Sequence, residues 1–80
     1  MPILSARTPT ILDYSVDERP WAVDVWIICG EPGSGRRLLW VAKKWEVRAY
    51  DARLPVKPVA EELLSRLIFY LGLLSAPIPL

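Results

Sequence analysis

WAVDVWIICGEPGSGRRLLWVAKKWEVRAY, running from Trp21 to Tyr50, is the stretch on which the fold of this chain turns. Its opening gathers β-branched and aromatic side chains, Val23, Val25, Trp26, Ile27 and Ile28, in the composition of a strand. Its centre, GEPGSG, holds one proline and three glycines, which supply the fixed and positive φ that a chain reversal requires. Its second half, Arg36 to Tyr50, has no breaker. As a strand, that half sets Leu39, Val41, Trp45, Val47 and Ala49 on one face and Leu38, Trp40, Lys44, Arg48 and Tyr50 on the other. As a helix it stacks Leu38, Ala42, Trp45 and Ala49. Aromatic and β-branched residues predominate, so a strand is the expectation, with a bulge or bend near Lys43 to interrupt so long a run. Closing the hairpin with Gly30 opposite Arg36 places Trp26 opposite Trp40, Ile28 opposite Leu38, Val25 opposite Val41 and Trp21 opposite Trp45.

The loop also invites a chemical reading. In GEPGSGRR, Gly30 and Gly35 fall on the glycine positions of GxxxxGK[ST], behind an apolar strand. Over these eight residues the chain resembles the phosphate loop of the P-loop nucleotidases. That resemblance implies a nucleotide cradled by backbone amides. The match departs where the chemistry sits: Arg36 replaces the lysine and Arg37 replaces the hydroxyl that holds magnesium. Nor is there room for that family's parallel sheet, each crossover unit of which takes about 30 residues. A hairpin loop is expected, and whether its glycines hold an anion stays open.

Upstream, Leu12, Tyr14 and Val16 alternate with Asp13 and Ser15, so a half-buried strand begins at Thr10 and ends in the DERP turn. Residues 1–9 read as an extended arm and 10–80 as one small domain. Downstream, a helix starting at Pro58 or soon after fits proline in a first turn, with Glu61 and Glu62 complementing the dipole. Its stripe is Leu63, Leu67, Tyr70, Leu71 and Leu74, widened by Leu64, Ile68, Phe69 and Leu73, and Pro77 and Pro79 end it by Ala76. The expected fold class is α+β: an antiparallel three-stranded β-meander, with a long second hairpin, packed on a C-terminal α-helix. Trp21, Val23, Val25, Ile27, Leu39, Val41 and Val47 form the covered face, which leaves Trp26, Ile28, Leu38 and Trp40 on the other. In element order alone this resembles the small domains of some integrases and plant transcription factors that lay a sheet in the DNA major groove.

Composition narrows the chemistry. A single cysteine and no histidine leave neither a disulfide framework nor a Cys/His metal site, so no metal or cofactor is expected. General acid–base work would fall to carboxylates, lysine or tyrosine, so no enzyme and no catalytic residue is expected. Cys29 reads as a small buried hydrophobe, and Asp24, opposite Ala42 and diagonal to Lys44, as a cross-strand ion partner. The absence of Asn, Gln and His, with eight prolines, points to a thermophilic source. The opening residues lack the pattern of a secretory signal, so a cytoplasmic protein is expected. The apolar run from Leu67 to Leu80 is shorter than the roughly 20 residues of a membrane span, so no membrane partner is expected.

Charge supplies the functional lead. Residues 1–35 carry a net −3 and residues 36–57 a net +5. On the strand reading, Trp26, Trp40, Lys44, Arg48 and Tyr50 share a face, with Arg36 and Arg37 at the hairpin tip. Cations for phosphates beside rings for bases suit single-stranded DNA or RNA better than duplex. The apolar excess of so small a chain (52% hydrophobic) calls for an oligomer, a dimer as first guess, through Ile28, Leu38, Ile68, Phe69 and Leu73. The alternative is a structural or regulatory subunit, as in a larger protein complex, that binds protein and no nucleic acid.

Overall fold

The computed structural model describes residues 9–52 and 60–80. It is an α+β structure with strands β1 (Thr10–Arg19), β2 (Ala22–Gly30), β3 (Arg37–Ala42) and β4 (Ile78–Pro79) and helices α1 (Lys44–Asp51) and α2 (Glu61–Leu74). The strands form one antiparallel sheet in the order β1-β2-β3-β4. The expected meander and the C-terminal helix are both present. The arm assigned to the N-terminal residues, Pro9 apart, and the helix start at Pro58 lie outside the described residues.

Three features correct the sequence reading. The run from Arg36 to Tyr50 is not one strand: β3 ends at Ala42 and α1 begins at Lys44. The Lys43 backbone N–H donates to the Glu46 carboxylate at 2.8 Å, the reach-back half of a capping box, and Val47 N–H donates to the Lys43 carbonyl at 3.0 Å. The segment KWEVRAYD carries Lys, Glu, Arg and Ala, and a helix lets Val47 enter the core. The bulge expected at Lys43 is instead in β1, where the β1–β2 register shifts between Ile11 and Asp13 and Leu12 is the extra residue.

The second correction concerns register. Gly30 pairs with Arg37, so Trp26 faces Val41, Ile27 faces Trp40, Ile28 faces Leu39 and Val25 faces Ala42. The loop takes in Arg36: Glu31 N–H donates to the Arg36 carbonyl at 2.7 Å, Gly35 N–H to the Glu31 carbonyl at 2.8 Å, and Gly33 and Gly35 adopt φ of 89° and 72°. One residue of slip exchanges the faces. Leu38, Trp40 and Ala42 turn to the core beside Val25, Ile27 and Cys29, while Leu39 and Val41 turn outward. Trp21, expected inside, is 67% exposed.

The third is β4. Pro77 and Pro79 do follow the helix, whose end is marked by Ser75 N–H donating to the Leu71 carbonyl at 2.8 Å. The chain then returns to pair Leu38 with Pro79 and Leu39 with Ile78, and Leu80 N–H donates to the Arg37 carbonyl at 3.0 Å. Proline is tolerated there because an edge strand has one side without a ladder.

The core is a single cluster on one side of the sheet. Val23, Val25, Ile27 and Cys29 of β2 and Leu38, Trp40 and Ala42 of β3 meet Val47 of α1 and Leu64, Leu67, Ile68 and Leu71 of α2. Tyr70 ties the helices together: its ring lies 4.7 Å from that of Tyr50, and its hydroxyl donates to the Glu46 carbonyl at 2.9 Å. Both helices bury their apolar residues against the same sheet face. The opposite face therefore lacks a helix among the described residues.

Candidate functional site

Strand alternation assigns Trp26 and Ile28 of β2, Leu39 and Val41 of β3 and Ile78 of β4 to that outer face. Trp26, Ile28, Leu39 and Val41 line a shallow trough of about 310 Å³. Val41 is 49% and Ile78 55% exposed, and the Leu12 side chain lies over Gly30 at the trough's β1 side. A contiguous apolar surface of this kind, rimmed by charge, marks an interaction site more often than a random surface does. The rim is polar on β1: Asp13 faces Ile28, Ser15 faces Trp26, and Asp17 faces Asp24. Arg19 binds both of the latter, at 2.8 Å to Asp17 and 3.6 Å to Asp24. Arg19, and not Lys44, is thus the ion partner of Asp24, because the Lys44 ammonium instead donates to the Trp21 carbonyl.

The residues expected to form one nucleic-acid face are distributed over several surfaces. Trp26 lies in the outer trough and Arg37 at its loop end. Trp40 is in the core at 7% exposure, with no hydrogen-bond partner for its indole N–H among the described residues. Lys44, Arg48 and Tyr50 belong to α1, where Tyr50 packs on Tyr70. Arg36 is paired with Glu31 at 2.9 Å. Of the expected interface residues, Ile28 lines the trough and Phe69 and Leu73 are exposed on α2, but Leu38 and Ile68 are core residues. Sequence reasoning missed Leu39, Val41 and Ile78 as surface residues. The reason is the register slip at Arg36, together with the unforeseen β4.

The glycine loop is organised around its own carboxylate. Glu31 accepts from the Ser34 hydroxyl at 2.7 Å and from the Arg36 guanidinium at 2.9 Å. The Ser34 hydrogen bond, then the one from Arg36, holds the Glu31 carboxyl below its ordinary range. The hydroxyl and cation that an external anion would use are thus engaged internally.

Cys29 is fully buried in the core, and burial pushes its thiol up from 9.0 to about 11. The folded state therefore holds a proton that the unfolded chain releases above the ordinary thiol value. Stability from this group is complete below pH 9 and is lost as pH rises toward 11. The stability gap between wild type and Cys29→Ala, measured by urea unfolding, should accordingly narrow over that interval. A gap constant with pH would contradict the assignment.

Among the described residues no group of three or more His, Cys, Asp or Glu could hold a metal ion, and no helix is long and apolar enough to cross a membrane. No protein-family model, curated protein or solved structure matches the chain.

Proposed function

We propose that this is a non-enzymatic binding protein that docks another protein surface on the outer face of its sheet. The observation that carries the reading is the trough of Trp26, Ile28, Leu39 and Val41, left open among the described residues because both helices pack on the opposite face. Removing a large apolar side chain from water is worth about 1.5–3 kcal/mol when burial is complete, so covering this face is a substantial driving force. The dye anilinonaphthalene sulfonate tests it at low protein concentration. Its fluorescence should rise with wild type and not with Leu39→Asp, and an equal response from both would overturn the reading.

A second reading, single-stranded nucleic-acid binding, draws support from a different place. Trp21 and Trp45 are 67% and 66% exposed, and the Lys44 contact with the Trp21 carbonyl joins their two segments, with Lys43 and Arg48 nearby in sequence. Rings so exposed could stack on bases at about 1–3 kcal/mol each. Asp17, Glu18 and Asp24 crowd the same end of the sheet, which is why the protein-docking reading leads. Tryptophan quenching by single-stranded DNA or RNA that weakens steeply with salt, and is lost in Trp45→Ala, would favour this second reading.

A further inference from the structure

We infer that the free edge of β1 is a second docking surface, one that takes an extended, cation-bearing segment of another protein as an added strand of the sheet. It is separate from the trough and does not depend on it.

The backbone sets up the edge. β1 pairs with β2, and no strand lies on its other side among the described residues. In an antiparallel ladder successive residues turn their N–H and C=O groups alternately to one side and the other. Glu31 N–H donates toward Arg36, so Cys29, Ile27 and Val25 turn to β3 as well, while Ile28, Trp26 and Asp24 turn to β1. There they meet Asp13, Ser15 and Asp17, which leaves the backbone groups of Tyr14, Val16 and Glu18 directed to the open side. The Tyr14 N–H agrees, since it donates to the Asp13 carboxylate at 2.8 Å. The opposite edge of the sheet offers far less: β4 is two residues long, and one of them, Pro79, has no N–H.

Charge names the occupant. β1 carries Asp13, Asp17 and Glu18 against Arg19, whose guanidinium Asp17 and Asp24 already share. Two β1 strands side by side would set six carboxylates against two guanidiniums, and like charges opposed across strands are destabilising. A cationic strand is favoured at the same positions. Asp13 and Asp17 lie on the outer face with Ser15 between them, whereas Tyr14 and Val16 lie on the helix side, level with Ile27 and Val25. The fitting sequence therefore alternates: lysine or arginine toward Asp13 and Asp17, and an apolar residue beside Tyr14 and Val16. On entry its backbone displaces the Asp13 carboxylate from the Tyr14 N–H, and its cation takes that carboxylate up.

Titration of the ¹⁵N-labelled full chain with a peptide of four lysine–valine pairs tests this. The backbone resonances of Tyr14, Val16 and Glu18 should shift. In antiparallel pairing the peptide's valines carry the N–H groups that face β1, so N-methylation of the valines should weaken binding at least about tenfold and N-methylation of the lysines by no more than about twofold. Asp13→Lys combined with Asp17→Lys should weaken the lysine–valine peptide about tenfold and admit a glutamate–valine peptide instead. Unshifted β1 resonances, equal effects of the two methylations, or indifference to the charge reversal would overturn the inference. A peptide that moves the Trp26 indole resonance and leaves β1 unshifted would also overturn it, while leaving the trough as a docking surface.

Discussion

Replacing Trp40 with alanine is expected to destabilise the fold by about 3–5 kcal/mol, the range for deleting a large aromatic side chain from a core. Trp40 stands opposite Ile27, itself fully buried, and belongs to the cluster that includes Leu64 and Leu71. Were the ring an exposed stacking platform, the same change would fall within about 0.5 kcal/mol and would show instead in binding. Urea unfolding followed by circular dichroism separates the two outcomes. Trp40→Phe should cost markedly less than Trp40→Ala. It keeps most of the packed ring and removes an indole N–H that has no partner among the described residues, and leaving such a group unpaired costs about 1–3 kcal/mol.

Adjacent residues of β3 should respond in opposite ways to the same charge. Leu38 is buried and Leu39, next in sequence, lines the outer trough. Leu38→Asp puts an unpaired carboxylate among core side chains and should prevent folding at neutral pH. Leu39→Asp should leave stability within about 1 kcal/mol of wild type, because its carboxylate reaches water when the face is open. It should nonetheless lose the dye response of the outer face, since covering that face would bury the charge without a partner. Circular dichroism melts and dye fluorescence of the two variants read the contrast directly. Similar behaviour from both would mean that the faces of β3 are misassigned.

Much of the architecture was legible in local pattern. The β-branched run of β2, the proline and glycines of the loop and the breaker-bounded apolar helix each point to one state, and all three elements are present. What the pattern could not supply was the choice between readings that fit it equally well. Both readings of residues 36–50 satisfy an apolar periodicity, and the deciding contact is the Glu46 carboxylate on the Lys43 N–H, a local bond that strand propensity does not weigh. Matching apolar with apolar does not fix the register, because β2 and β3 are apolar on both faces and a slip by one residue satisfies that test equally well. The slip moved Trp40 and Leu38 inward and Leu39 and Val41 outward, and with them the candidate site. β4 was invisible because two prolines in the last four residues argue against a strand unless an edge is there to receive it.

The four tryptophans give each surface its own reporter: Trp40 in the core, Trp26 in the trough, and Trp21 and Trp45 at the turn end of the sheet. A titration of the ¹⁵N-labelled protein with anilinonaphthalene sulfonate, following the four indole N–H resonances, is therefore the most direct test of the outer face as a docking surface. The expected result is a shift of the Trp26 resonance that grows with added dye, with Trp40, Trp21 and Trp45 stationary. A stationary Trp26, or movement confined to Trp21 and Trp45, would contradict docking on this face.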